Sequence, residues 1–189
     1  MPHRFDPERL GHLDSPLRRL LMPPKRTLRR LGLAEGDIVI DVGAGSGYFS
    51  LPASEMVGSK GEVFAVDIAP EAVALIERRR LELGRRNLRA ILSTEASLGL
   101  PDGAGTLALM SVVLHEVEDK RGMLRSLHRA LKAGGRIAVL EFGSAAIFGP
   151  PRSVRIGEGE MRVLLEDAGF AGVAVKRLNS ALYAATAMK

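Results

Sequence analysis

Nine consecutive residues constrain this chain more than any other part of it: Asp41-Val42-Gly43-Ala44-Gly45-Ser46-Gly47-Tyr48-Phe49. They follow the apolar run Ile38-Val39-Ile40 and lead into an amphipathic stretch predicted to be a helix from about Tyr48 to Val57. Glycines at 43, 45 and 47 let the backbone turn sharply and let another molecule approach with no Cβ in the way. A buried strand, a tight glycine turn and a helix in succession open an α/β sheet. Asp67 ends a second apolar run, 20 residues after Gly47. A carboxylate there can accept hydrogen bonds from both hydroxyls of a ribose.

The alternation continues along the chain. Strands are predicted at Val63 to Asp67, Arg89 to Leu92, Leu107 to Val113, Ile137 to Phe142, Val173 to Arg177 and Leu182 to Ala187. Between them lie helices from Pro70 to about Leu83, Lys120 to Leu131 and Glu160 to Ala168. Pro70 suits a first helical turn, and Gly134-Gly135 and Gly169 act as stops. Asn179-Ser180 is read as the turn of a closing hairpin. The expected fold is an α/β, Rossmann-like, mainly parallel seven-stranded sheet with helices on both faces and a C-terminal antiparallel hairpin. Residues 32–189 form that domain, and residues 1–31 form a basic helical cap. In the cap, Leu17, Leu20, Leu21, Leu28 and Leu31 recur at near-helical spacing and Pro23-Pro24 divides two short helices packed on the domain. Ligands of such sheets bind beyond the carboxyl ends of the strands, at the switch in strand order.

Cysteine is absent, which excludes disulfides, thiolate metal sites and a cysteine nucleophile. No run approaches the roughly 18 apolar residues of a membrane span, and charges and prolines interrupt the N-terminus throughout. A soluble, cytoplasmic protein with no membrane partner is expected. The net charge of +5 raises a nucleic-acid partner, and Arg78-Arg79-Arg80, Arg85, Arg86 and Arg89 form a basic run. The plain reading of that run is a solvated helix face. Aromatic residues are 4% with no tryptophan, so platforms for stacking single-stranded bases are scarce.

The spacing G-x-G-x-G differs from the G-x-G-x-x-G of dinucleotide sites. An acid ahead of the first glycine repels a pyrophosphate and suits a ligand that carries an amino group. At these residues the chain resembles the class I S-adenosylmethionine-dependent methyltransferases. Leu131-Lys132-Ala133-Gly134-Gly135-Arg136-Ile137, Leu98-Gly99-Leu100-Pro101-Asp102-Gly103 and Leu164-Leu165-Glu166-Asp167-Ala168-Gly169-Phe170 extend the resemblance over roughly residues 32–187. The group it looks most like is that of the quinone-biosynthesis C-methyltransferases (type 11). Phe5-Asp6-Pro7 and Leu13-Asp14-Ser15-Pro16 are similar to small stand-alone members.

The resemblance implies S-adenosylmethionine as cofactor, with S-adenosylhomocysteine as product. It implies that Asp41 and the backbone of Gly43, Ala44, Gly45 and Gly47 hold the methionine end, and that Asp67 holds the ribose. Ile68 would lie against the adenine, Glu95 and Ala96 would meet its edge, and Ser111 and Val112 would line the sulfonium pocket. Two positions depart from the family pattern: Thr106 stands where an acid often opens the fourth strand, and Glu95 where Asp is common. Tyr48 and Phe49 either flank the cofactor, where an aromatic face favours a sulfonium, or anchor the core.

Methyl transfer needs alignment above all, and needs a base only if the acceptor loses a proton. His115, just after the fourth strand, is the candidate base. Glu141, at the end of the fifth, is a second candidate that can face the same pocket, with an ordinary exposed or salt-bridged carboxylate as the favoured reading. His115, Glu116, Glu118 and Asp119 are too nearly adjacent to converge on one ion, so no metal is expected. A small-molecule acceptor is favoured, with an RNA methyltransferase, a non-catalytic cofactor-binding module and an NAD-dependent oxidoreductase as alternatives. Oligomeric state, and whether carbon, nitrogen or oxygen is methylated, are open at this point.

Overall fold

β1 (Ile38–Val42) runs through the middle of the sheet because both of its faces are apolar: Val39 packs to one side and Ile40 to the other. The computed structural model describes residues 16–94 and 96–189. In chain order the elements are α1 (Pro16–Leu21), α2 (Pro24–Arg30), β1, α3 (Ser50–Met56), β2 (Glu62–Asp67), α4 (Pro70–Glu82), β3 (Leu88–Leu92) and β4 (Gly105–Ser111). They continue with α5 (Lys120–Ala130), β5 (Leu131–Phe142), α6 (Glu158–Asp167), β6 (Ala171–Arg177) and β7 (Leu182–Met188). The seven strands are ordered β3-β2-β1-β4-β5-β7-β6. β1 to β5 are parallel, and β7 lies antiparallel between β5 and β6. The chain builds outward from β1 to β3 and then returns to the other side of β1 as β4. The order therefore reverses between β1 and β4, and ligands of such sheets bind beyond the carboxyl ends of the strands at that switch.

Each face of the sheet has its own core. Val39, Ala65, Leu109 and Leu140 pack with Leu28 of α2, Ala53 of α3 and Ile76 of α4. Ile40, Val139 and Tyr183 pack with Leu124 and Leu127 of α5 and Met161 and Leu165 of α6. The predicted cap helices are both present, yet they contribute unequally. Leu28 and Leu31 are buried, whereas Leu17 and Leu20 of α1 face solvent. Asn179 closes the β6–β7 hairpin by accepting from the amides of Ala181 and Leu182, each at 2.9 Å.

Several boundaries move from their predicted places, β5 most of all since it begins at Leu131 rather than Ile137, and three of the shifts have a local reason. α3 begins at Ser50 rather than Tyr48, because the glycine turn continues through Phe49. β4 ends at Ser111 rather than Val113, because Val112 has φ 61°, a left-handed conformation that a β-branched residue rarely adopts. α5 ends at Ala130, one residue early, because Leu131 is extended and pairs with Gly105 of β4.

Candidate active site

The glycine turn hangs from β2. The amides of Gly43 and Ala44 donate to the Val66 carbonyl at 2.8 and 3.2 Å, and Gly47 donates to the Ala44 carbonyl at 2.9 Å. Gly43 has φ 68°, and a Cβ placed on it would lie 2.4 Å from Cγ2 of Val113. Only glycine lets the turn pass the segment that follows β4. The turn carries an acid at each side. Asp41 is 3% exposed, and Oδ2 accepts from the Ser50 hydroxyl at 2.5 Å. Burial pushes its carboxyl up to about 7, and the Asp67 charge adds to the rise. The Ser50 hydrogen bond and the Arg18 charge act the other way. A cation brought beside such a carboxylate would favour its ionised form.

Asp67 ends β2 with both oxygens positioned by backbone: Oδ2 accepts from Gly45 N at 2.8 Å and Oδ1 from Ala69 N at 3.0 Å. Each carboxylate oxygen has capacity beyond one such bond, so two hydroxyls can be received without moving the side chain. Beside it, Ile68 and Leu92 are 48% and 54% exposed, large apolar side chains left open to solvent. Leu92 is the β3 partner of Asp67 in register. An acid fixed in place between two bare apolar side chains fits a ribose carrying a flat base. Ala96 lies exposed in the segment after β3. Glu95, like Phe5-Asp6-Pro7 and Leu13 to Ser15, lies outside the described residues.

On the other side of β1, Ser111 is the last residue of β4 and is buried. Val112, strained but held by its amide donating to Leu140 O at 2.8 Å, turns the chain into a single helical turn, Leu114–Glu116. That turn brings together the two residues proposed separately from sequence. Nδ1 of His115 is 2.9 Å from Oε2 of Glu141, and the His115 amide donates to Oε1 at 3.2 Å. Glu141 is 1% exposed. With Glu141 accepting, Nδ1 carries the proton, and Nε2 lies 3.7 Å from Oε1 of Glu116. Burial alone depresses the imidazole pKa, but the Glu141 hydrogen bond and charge outweigh it and raise the pKa above the ordinary value. Asp119 turns away to cap α5, accepting from Gly122 N at 2.8 Å. Among the described residues no three metal-ligating side chains converge.

Sequence reasoning missed Ser50 and the contacts that tie the predicted cap to the site. Tyr48 donates its hydroxyl to Met22 O at 2.9 Å, the Ser111 hydroxyl meets Met22 Sδ at 4.0 Å, and Asn179 Nδ2 donates to Leu21 O at 2.9 Å. The α1–α2 connection is thereby tied to the glycine turn, β4 and the β6–β7 hairpin. Tyr48 and Phe49 are core residues, their rings edge-to-face at 5.1 Å. Arg18 lies over the Tyr48 ring, 4.3 Å from its centroid. The Ser50 signal was a hydroxyl nine residues after the acid, and only the helical turn reveals that they meet.

Thr106 belongs to the opposite end of the sheet. Its hydroxyl donates to Asp37 Oδ1 at 2.7 Å, and Arg136 donates to Oδ2 at 2.5 Å, so the acid of this region is supplied from just before β1. Much of the basic run is spoken for. Arg78, Arg80, Arg85 and Arg89 pair with Glu82, Glu77, Glu55 and Glu62. No helix among the described residues is long and apolar enough to cross a membrane.

Residues 22–154 match the ubiE/COQ5 methyltransferase family. The ubiquinone/menaquinone biosynthesis C-methyltransferase UbiE of Azotobacter vinelandii (strain DJ / ATCC BAA-1303) is 34% identical over 117 residues, 61% of this chain and 46% of the relative. The demethylmenaquinone methyltransferase of Geobacillus stearothermophilus is 27% identical over 132 residues, 70% of this chain and 56% of the relative. The chain spans about half the length of the curated relatives it matches. A crystal structure of a SAM dependent methyltransferase from Aquifex aeolicus has a TM-score of 0.89 at 32% identity, over 98% of this chain and 99% of that one. The [4+2]-cyclase SpnF shares the fold at TM-score 0.72 and 20% identity, over 90% of this chain and 80% of its own. The fold therefore does not by itself name a reaction. The family match takes in the glycine turn, both acids and His115 and Glu141, and this chain belongs to the ubiE/COQ5 methyltransferase family.

Proposed function

We propose that this chain transfers a methyl group from S-adenosylmethionine to a carbon of a small hydroxylated ring, of the kind that quinone biosynthesis offers. The observation that carries the cofactor half is the pair of acids around one glycine turn. Asp41 is buried with its carboxyl pushed up to about 7, and Asp67 is fixed by two backbone amides beside bare Ile68 and Leu92. In this reading Asp41, with the backbone of Gly43, Ala44, Gly45 and Gly47, holds the methionine end, and Asp67 the ribose. Ile68, Glu95 and Ala96 surround the adenine, and Ser111, Val112 and Tyr48 border the reacting end. Residues 1–31 act as the cap of a 32–189 domain.

When bound, S-adenosylmethionine supplies a methyl group already activated on a sulfonium. The chain's task is to align the acceptor, and good alignment can supply about 7–11 kcal/mol of the barrier. His115 takes a proton from a ring hydroxyl at Nε2 while Glu141 holds Nδ1–H and steadies the resulting imidazolium. The oxyanion left on the ring makes the neighbouring carbon the nucleophile. The C-methyltransferase of ubiquinone/menaquinone biosynthesis and the demethylmenaquinone methyltransferase among the relatives support a small acceptor methylated at carbon. The paired basic run leaves little to favour RNA.

Isothermal titration tests the cofactor half: S-adenosylhomocysteine binds and NADH does not. Mass spectrometry of 1,4-naphthohydroquinone incubated with the protein and S-adenosylmethionine tests the acceptor half. A product heavier by one CH2, with the new methyl on carbon by NMR, is expected. Binding without that product overturns the acceptor, and no binding overturns the whole reading.

A further inference from the structure

We propose that the cavity between the cap and α3–α4 is a second binding site, built for a small ligand that carries two or more linked phosphate groups. It encloses about 600 Å³, within the range of roughly 300–1,000 Å³ that small-molecule sites occupy. Five cations line it: Arg19 of α1, Lys25, Arg26 and Arg29 of α2, and Arg79 of α4. No acidic side chain among the described residues lines it. The cavity shares Gly47 and Tyr48 with the glycine turn but none of Asp41, Asp67 and Ile68. It therefore lies among the helices of one sheet face, and the inference does not depend on the cofactor reading.

The cap cannot neutralise this charge by itself, because α1 and α2 contain no acid. Arg26 and Arg29 stand three apart on α2, and Lys25 and Arg29 four apart, so they share a helix face on which like charges repel. The other face carries Thr27 and Leu28 into the core. Two of the five cations are engaged: Lys25 pairs with Glu55, and Arg79 Nη1 donates to the Ser46 carbonyl at 2.7 Å. Arg19, Arg26 and Arg29 have no ion pair among the described residues. The run from Arg78 to Arg89 differs, since most of its arginines have a glutamate beside them.

Three uncompensated guanidinium groups around one cavity define the ligand. Each offers a planar fork that matches phosphate oxygens. One phosphate carries about −1.5 to −2 at pH 7, less than the three unpaired charges, so at least two are needed. Pro23, Pro24, Leu51 and Pro52 complete the wall with apolar surface, and the prolines restrict its backbone.

Tripolyphosphate is the probe. In isothermal titration of the full chain at low ionic strength it binds one site per chain. Arg26→Ala combined with Arg29→Ala weakens it at least tenfold. Arg26→Gln with Arg29→Gln, which keeps long helix-forming side chains, gives the same loss. Arg125→Ala, at an exposed position of α5 on the other face of the sheet, leaves the affinity within twofold. No saturable binding, or an equal loss in Arg125→Ala, overturns the site. Orthophosphate binding as tightly as tripolyphosphate overturns the requirement for linked phosphates. Mutually exclusive binding of tripolyphosphate and S-adenosylhomocysteine makes the cavity part of the cofactor's own site and overturns its independence. A single-stranded RNA that binds at least tenfold tighter than tripolyphosphate, and is weakened by Arg86→Ala, makes the cavity part of a polymer surface and overturns the small ligand.

Discussion

If Asp41 receives an ammonium, the affinity for S-adenosylhomocysteine must depend on pH in a window where ordinary aspartates are silent. Burial holds the free carboxyl at about 7. Only the ionised form attracts the ligand, and the bound ammonium then keeps it ionised. At pH 8 about nine-tenths of the free protein is competent, and at pH 6 about one-tenth, so the observed affinity falls roughly tenfold over those two units, about 1.4 kcal/mol. Near pH 6.5 binding releases most of one proton. That release is measured directly by titration calorimetry in two buffers of different ionisation enthalpy. Asp41→Asn should bind weakly at every pH and lose the dependence. The imidazole of His115, raised by Glu141, also titrates, so the series is repeated with His115→Ala, which should keep the slope. An affinity that is flat from pH 5.5 to 8, or a slope that survives in Asp41→Asn, refutes the assignment. The same raised pKa acts on stability. The folded state holds this proton more tightly than the unfolded chain does, so stability declines as pH rises from about 4 to 7, by roughly 4 kcal/mol in all. Asp41→Asn should therefore melt higher than wild type at pH 8 and no higher at pH 4.

Four other outcomes follow from the geometry. His115→Ala should lower kcat about 10²- to 10⁴-fold, the usual worth of a positioned base. Glu141→Gln removes what raises the imidazole, so the rising limb of the wild-type pH–rate profile should move to lower pH; an unmoved limb assigns the base elsewhere. Arg136→Ala breaks the charged hydrogen bonds to Asp37, whose carboxyl is held below its usual range: burial raises it, but Arg136, the Ala34 amide and Thr106 together lower it further. Denaturant titration at pH 7 should show a loss of about 1.5–3 kcal/mol, and wild type should shed the same stabilisation as pH falls through the lowered Asp37 pKa. Gly43→Ala meets both a positive φ and the Val113 methyls, so it should cost about 1–3 kcal/mol by denaturant titration; a change under 0.5 kcal/mol contradicts the geometry.

The strand and helix order was legible because each strand carries its own local signature. Ile38-Val39-Ile40 is apolar on both faces, as a central parallel strand must be, and Pro70 and Gly169 mark helix ends in their own right. Asp41 and Asp67 were found the same way, since each stands next to a glycine turn or a strand end. What could not be read was anything made by residues far apart in the chain. His115 and Glu141 are 26 positions apart, and nothing in either segment says that they meet. Arg18 is one arginine among many in a basic segment, and only the folded cap sets it on Tyr48. Val112 gave no warning either. Its sequence context favours more strand, and the left-handed backbone is imposed from outside by Leu140 and the turn after it.

The contact between Val113 and the missing Cβ of Gly43 carries a consequence for engineering. The loop that would embrace the methyl donor and the loop that would present the acceptor share one surface, with no slack between them. Changes made around residues 112–115 to admit a different acceptor will be felt at the donor end as altered affinity. Selection for a new substrate in this scaffold should therefore recover second changes at or beside the glycine turn, where a repositioned valine must be accommodated.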